Sequence, residues 1–279
     1  MRILVVGAGG YLGQRVVRRA AACGHEVVGT ATTAVSGHRV LDVRSREAVL
    51  ALLSEVRAEA VLNLASRMDD WVVTADGAAH VAVGARGSRL VHVSSDVVHG
   101  GRSRPYTDID PPDPKGRYGS AKAAAETAVA AVDPGAAIVR TSLIIGSDDS
   151  QHLRLVRDLI AGRRAGFLFE DEIRCPVHVD DLAAALVELA EGDYAGVLNV
   201  AGPEAISRAD LGRLVARQDG VDPASVPTGL TADANLGPRA SDVKLDSSRA
   251  YGMLAVRFRS ASEAVRAGGL GFGGFRAGG

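Results

Sequence analysis

Residues 2–6 (RILVV) form a short apolar run, rich in β-branched side chains, that stops at Gly7. That is the pattern of a strand buried on both faces of a parallel sheet. Tyr11, Leu12, Val16, Val17 and Ala20 then recur at helical spacing, and Gly24 closes that helix. HEVVGTA (25–31) predicts a second strand, RVLDV (39–43) a third, and the stretch from about Ser45 to Val56 a helix. AVLNLA (60–65), RLVHVSS (89–95) and AAIVRTS (136–142) are further strands, separated by Ala/Arg-rich helical segments. Strands alternating with helices of about 10 to 15 residues imply βαβ units with right-handed crossovers. The first 142 residues therefore read as α/β, a Rossmann-type doubly wound parallel sheet that binds a nucleotide.

Beyond Ser142 the rhythm breaks. Gln151 to Gly162 reads as helical, DDLAAALVELA (180–190) as an amphipathic helix and GVLNVAG (196–202) as one more strand. The rest carries Pro203, Pro223, Pro227 and Pro238 and predicts a smaller, looser C-terminal unit above the carboxyl edge of the sheet. Ligands of open α/β folds bind there. The expected division is 1–142 plus about 174–202 for an NAD(P)-binding domain, and about 143–173 and 203–267 for a substrate-binding domain. A flexible tail, 268–279, holds seven glycines.

Composition narrows the function. The 279 residues are 47% hydrophobic and 23% charged with a net charge of −1, which places the chain among globular proteins and excludes disordered and collagen-like classes. So balanced a charge argues against a nucleic-acid or anionic-membrane partner, either of which calls for a concentrated positive field. No apolar run approaches the roughly 18 to 20 residues of a membrane span. The N-terminal run ends after Val6, too short for a secretory signal, so a cytoplasmic location is expected. Cys23 and Cys175 make neither a disulfide framework nor a metal quartet, and the seven histidines show no HExxH or comparable spacing, so no metal is expected. No GxSxG elbow or GxxxxGK[ST] loop occurs, which disfavours a serine hydrolase and a P-loop ATPase. Among 32 basic residues only Lys115, Lys122 and Lys244 are lysine, and arginine cannot do lysine's proton chemistry.

Three motifs carry chemistry. Gly7-Ala-Gly-Gly10-Tyr11-Leu12-Gly13 is a GxxGxxG pattern between the first strand and the first helix, where glycines allow a tight turn and close approach to a pyrophosphate. Dinucleotide binding also needs an adenosine site at the end of strand two. An acidic residue there would hold the ribose of NAD, but the sequence reads Thr30-Ala-Thr-Thr33, which leans toward NADPH over NADH. Asp42-Val43 could meet the adenine edge, or Asp42 could be a loop carboxylate or helix cap. Asn63-Leu64-Ala65 ends strand four where backbone would pass the cofactor, although Asn63 could equally be a turn residue. The second motif, Tyr118-Gly-Ser-Ala-Lys122, puts a phenol and an ammonium on one helix face. A phenol of pKa near 10 can serve as a proton donor when a neighbouring cation stabilises its phenolate. The third is Ser94-Ser95-Asp96, at the carboxyl end of strand five, where a hydroxyl, Ser95 in preference to Ser94, could donate to a substrate carbonyl.

These residues resemble the extended short-chain dehydrogenase/reductases, in particular the dTDP-4-dehydrorhamnose reductases and related sugar-nucleotide ketoreductases. GAGGYLG resembles the cofactor loop, VSSDVVHGG the serine/threonine segment, PYTDIDPPDPKGRYGSAKAAAE the approach to the catalytic helix, and RTSLIIG, RCPVHVDDLAAAL and GVLNVAGPE the later landmarks. The resemblance implies Tyr118 as general acid, Lys122 on the nicotinamide ribose, and Ser95 in the place of the family's hydroxyl, with Asp96 beside it facing substrate. It implies Gly7, Gly10, Tyr11, Leu12 and Gly13 along the cofactor. Arg174 would contact the substrate diphosphate, anchor the second domain, or form a structural salt bridge. The chain departs from the family at Val97 and His99, where aromatic residues are usual, and over Leu64–Trp71. The function implied is NAD(P)H-dependent reduction of a keto group on a nucleotide-linked deoxysugar. The alternatives are a sugar-nucleotide epimerase or dehydratase and a non-catalytic NAD(P)-binding regulatory subunit. The expected partner is a small-molecule nucleotide sugar, and a homodimer is left open.

Overall fold

The computed structural model describes residues 1–146, 150–234 and 237–268. Its centre is a seven-stranded sheet containing β1 (Arg2–Val6), β2 (Glu26–Ala31), β3 (His38–Val40), β4 (Ala60–Asn63), β5 (Arg89–Ser95), β6 (Ala137–Thr141) and a last strand, Gly196–Asn199. The order across the sheet is Gly196–Asn199, β6, β5, β4, β1, β2, β3, and every neighbouring pair is parallel. Strand order reverses between β1 and β4, so the crevice above their carboxyl ends is where a doubly wound sheet takes its ligand.

Alternate residues of each strand feed two cores, as the period of two requires. Ile3 and Val5 face α1 (Tyr11–Ala22) and α6 (Val179–Glu191), while Leu4 and Val6 face the side covered by α2 (Arg46–Val56), α3 (Gly77–Gly84) and α4 (Arg117–Val132). The expected amphipathic helix at 180–190 is therefore a largely buried one, with Leu182, Leu186 and Leu189 almost free of solvent. The expected strand 39–43 is shorter: it stops at Val40, and although Leu41 N–H still reaches Ala31 O at 2.8 Å, the chain then turns at Asp42.

The C-terminal region is better built than its prolines suggest. Helices α5 (Gln151–Ile160), α7 (Arg208–Gln218) and α9 (Ala261–Gly268) enclose a separate apolar cluster that includes Ile145, Leu153, Leu168, Leu211 and Val215. Helix α7 is not evident in the sequence because its buried face, Ala209, Leu211, Gly212, Val215 and Ala216, is made largely of small residues and Gly212 is a poor helix former. The expected mobile tail from 269 onward and the aspartate pair Asp148–Asp149 lie outside the described residues.

Helix α4 is fixed from below. Arg140 on β6 donates from Nε to Glu126 Oε1 at 3.0 Å and from Nη2 to Oε2 at 2.8 Å, and both side chains are buried. Ser94 Oγ adds a bond to Glu126 Oε1 at 2.6 Å, and Arg140 Nη1 a bond to Asp110 O at 2.8 Å. Removing one partner of such a pair strands a buried charge and typically costs about 3–5 kcal/mol, whereas apolar replacement of both is often neutral. Arg140→Met should accordingly lose stability of that order in urea unfolding, and Arg140→Met with Glu126→Leu should recover the larger part.

Candidate active site

The turn after β1 closes on itself, with Gly10 N–H bonded to Gly7 O at 3.1 Å, and delivers the chain into α1. A Cβ on Gly13 would lie 2.2 Å from Gly7 O and 2.7 Å from Ala8 Cα, so only glycine lets the helix start this close to the turn. No acidic side chain occupies the first turn of α1 and no side chain caps it, so its positive dipole end faces the crevice uncompensated. Beside it runs a cleft of about 470 Å³ whose wall includes Gly7, Gly10, Thr30, Thr33, Val43 and Ala65.

A second cavity of about 440 Å³ adjoins the first, and Leu64 and Ser66 line both. Tyr118, Lys122, Ser95 and Asp96 lie in its wall. Tyr118 and Lys122 stand one turn apart on α4, whose start is pressed against the short 3₁₀ turn Asp96–Val98: a Cβ on Gly119 would sit 2.2 Å from Val97 O. The Tyr118 Oη lies 2.9 Å from Ser66 Oγ. Burial raises the phenol above its ordinary value, the Ser66 hydrogen bond opposes this, and the Asp96 carboxylate adds to it. Lys122 is buried, its Nζ donating to Val93 O at 3.0 Å and lying 6.0 Å from the centre of the Tyr118 ring. Burial lowers it to about 8, against a smaller upward pull from Glu126.

The two serines divide. Ser94 is committed to Glu126, while Ser95 is partly open and its Oγ donates to Asp96 Oδ1 at 3.3 Å. Asp96 is buried, accepts from Ser142 Oγ at 2.6 Å and faces Arg174 Nε at 3.5 Å. Its pKa is raised because burial outweighs that ion pair.

The other expected residues separate by where their polar groups point. Tyr11 and Leu12 line the second cavity, and Gly7, Gly10, Val43 and Ala65 the first. Asp42 lines neither, since Arg44 takes both of its oxygens, Nη2 at 2.6 Å from Oδ2, which matches the loop-carboxylate alternative. Asn63 is turned inward, accepting from Ala65 N–H at 3.3 Å and meeting His92 Nδ1 at 3.2 Å, the turn-residue alternative. Arg174 gives its Nη donors to the carbonyls of Ile173, Ser241 and Ala240 and its Nε faces Asp96, so the geometry favours the anchor over a diphosphate contact.

Ser66 lies in the stretch Leu64–Trp71 that departs from the family, but no individual role is expected of it from the sequence. Sequence reading passed over Arg208 and Arg239, which line the far end of the second cavity and are two among many arginines. Arg239 pairs with Glu172 at 2.5 Å, and Arg208 meets His152 Nδ1 at 3.3 Å. Burial and the nearby Arg208 push His152 down to about 4, so it is neutral at pH 7 and can accept that bond. A phenol, a hydroxyl and a buried ammonium thus border one cavity, an arrangement able to deliver a proton to an oxygen held there. Among the described residues no cluster of His, Cys, Asp and Glu could hold a metal ion, and no helix is long and apolar enough to cross a membrane.

A sequence-family profile described as RmlD substrate binding domain matches residues 1–267. The dTDP-4-dehydrorhamnose reductase of Mycobacterium tuberculosis is 31% identical over 266 residues, covering 88% of this chain and 85% of the relative. A probable dTDP-4,6-dihydroxy-2-methyloxan-3-one 4-ketoreductase of Streptomyces antibioticus is 30% identical over 282 residues, covering 95% and 94%. Among solved structures, a dTDP-4-dehydrorhamnose reductase from Bacillus anthracis in complex with NADP superposes with a TM-score of 0.82 at 23% identity, covering 95% of this chain and 97% of the other, a likeness of fold.

Lys122 carries a stability cost that can be measured. Its folded value of about 8 lies below the usual 10.5, so the folded state gives up this proton first. The penalty is complete below pH 8 and fades as pH rises toward 10.5. Lys122→Met should therefore be more stable than the parent in urea unfolding at pH 7, by up to about 3 kcal/mol at 1.36 kcal/mol per pH unit, and the difference should close by about pH 10.5.

Proposed function

The chain belongs to the RmlD substrate binding domain family, with the NAD(P)-binding fold of the extended short-chain dehydrogenase/reductases. From that membership and its cavity geometry we propose that it reduces a keto group on a nucleotide-linked deoxysugar, as dTDP-sugar 4-ketoreductases do. The observation that carries this reading is the Tyr118–Lys122 pair on α4, opening with Ser95 into a cavity that shares a wall with the glycine-turn cleft.

The cleft fits a dinucleotide. Backbone meets backbone where a Cβ on Gly13 would intrude, and the uncapped start of α1 suits a pyrophosphate. Among the described residues the cleft wall has no acidic side chain, and Thr30, Thr32 and Thr33, at and after the end of β2, line it together with Arg67, which supports NADPH over NADH. When bound, the reduced nicotinamide supplies the hydride that becomes the new C–H bond at the carbonyl carbon. Lys122 would hold the adjacent ribose and Tyr118 would give its Oη proton to the carbonyl oxygen, leaving a phenolate that the Lys122 charge stabilises. Ser95, giving up its long bond to Asp96, would donate its hydroxyl proton to that oxygen and orient it. Arg208 and Arg239 supply the positive charge that a substrate diphosphate needs at the far end of the cavity. In this reading residues about 143–173 and 203–267 form the substrate side and 1–142 with about 174–202 the cofactor side.

The decisive assay supplies NADPH with dTDP-4-dehydro-6-deoxysugars and counts cofactor oxidised per alcohol formed. One equivalent per turnover supports the reductase. Turnover without net consumption would make it an epimerase or dehydratase instead. Tyr118→Phe should lower kcat/KM by about 100-fold or more, the usual size of general acid catalysis, while NADPH affinity stays within about threefold. NADPH should be the better cofactor, and Thr32→Asp should move the preference toward NADH by about tenfold in relative kcat/KM, or about 1.4 kcal/mol.

A further inference from the structure

Tyr118 does not rely on Lys122 or Ser95 for its hydrogen bond. Lys122 Nζ is engaged by Val93 O, and the Ser95 hydroxyl is turned to Asp96 and accepts Val97 N–H at 3.4 Å. Among the described residues the partner of Tyr118 Oη is Ser66 Oγ, at 2.9 Å and 52 positions away in the chain.

Ser66 is held firmly for a residue outside any helix or strand. Thr74, fully buried, accepts from Arg67 N–H at 3.0 Å and donates to Arg67 O at 2.8 Å, clasping the residue next to Ser66 from both sides. Thr74 sits in a π-helical turn, Val72–Asp76, whose entry is tied by Val73 N–H to Asp70 Oδ1 at 3.0 Å. A single turn of this wide helix is rare and recurs at functional sites. Here it sets the height of the loop that brings a hydroxyl to the phenol, at the wall the two cavities share.

We propose that Ser66 is a positioning residue of the proton transfer, its hydroxyl aiming the Tyr118 oxygen and donating to the phenolate that remains once the proton has gone to the substrate. The proposal rests on the reductase reading above. The phenol O–H bond breaks and the alcohol O–H bond forms, and Ser66 changes no bond of its own. A donor to the charged form stabilises it, so Ser66 should keep the Tyr118 acid stronger than burial alone would leave it. The charged groups around Tyr118 are Lys122 on its own helix, Asp96 from the turn after β5, and Glu172, Arg174, Arg208 and Arg239 across the cavity. None of them is altered by a change at position 66.

The test compares Ser66→Ala, Ser66→Thr and Tyr118→Phe in the full-length protein, using NADPH and the keto-sugar identified by the assay above. Ser66→Ala should lower kcat about tenfold, the worth of one hydrogen bond to a charged group, with little change in KM or NADPH affinity. Reduction needs a charged Lys122 and a neutral phenol, so activity falls in alkali in two steps. The first comes near pH 8 as Lys122 loses its charge, the second higher as Tyr118 ionises, and the upper limb reports the phenol. Losing the donor should shift that upper limb upward by about one pH unit. Ser66→Thr keeps the hydroxyl and should restore both kcat and the limb. A Ser66→Ala enzyme with an unmoved limb, or a Ser66→Thr enzyme no better than Ser66→Ala, overturns the proposal even where Tyr118→Phe is inactive. An active Tyr118→Phe enzyme removes Tyr118 as the acid and the role of Ser66 with it, whereas a parent enzyme that turns over without net NADPH oxidation overturns the reductase reading itself.

Discussion

A guanidinium buried between a strand and a helix sets the geometry of this protein. Arg140 projects from β6 into the Glu126 carboxylate on α4, and Ser94 from β5 completes that carboxylate's hydrogen bonding. Lys122 and Tyr118 stand one and two turns up the same helix face. A shift in the register of α4 would therefore move the phenol and the ammonium together. The pair alone adds little net stability after its desolvation cost, but breaking one side leaves an unpaired charge. What it contributes is a single allowed position for the helix.

Arg174 and Asp96 join the active side of the sheet to the C-terminal region in a second buried arrangement. Arg174 collects the carbonyls of residues 240 and 241 while facing Asp96, which in turn holds Ser95 and Ser142. Together the two hubs bracket the cavity, one beneath α4 and one at its C-terminal wall. Most of the polar groups that line it are thus spoken for by neighbours, while Tyr118, with Ser66 as its partner, keeps a proton that can be given to an oxygen in the cavity.

The parallel sheet was legible in the sequence because strands buried on both faces read as unbroken β-branched runs. RLVHVSS matches β5 residue for residue, and the helix starting near Ser45 begins at Arg46. Tyr118, Lys122 and the glycine turn were visible because their spacing only makes sense on a helix or in a tight turn. Ser66 was marked only as one position of the departing stretch Leu64–Trp71, because the partner that singles it out stands 52 residues away. Arg174 was readable only as a set of alternatives, since a guanidinium's partners here are backbone carbonyls that no side-chain pattern announces. Helix α7 escaped because its stability comes from packing against α5 and α9 rather than from its own residues.

The bonds from Arg174 to Ala240 and Ser241 also constrain the order in which the protein can be assembled. Asp96 stands about a third of the way along the chain, yet the group that meets its charge is itself held by a segment from the last sixth. The last sheet strand, Gly196–Asn199, likewise docks on β6 after a long excursion. Contacts of such separation form late, because the chain must close large loops before they return any energy. As the polypeptide leaves the ribosome, the glycine turn and its cleft can take shape early. The second cavity, whose wall takes residues from Tyr11 to Arg239, is complete only when nearly the whole chain has emerged, whereas the glycine-turn cleft draws its wall from Val6 to Val73.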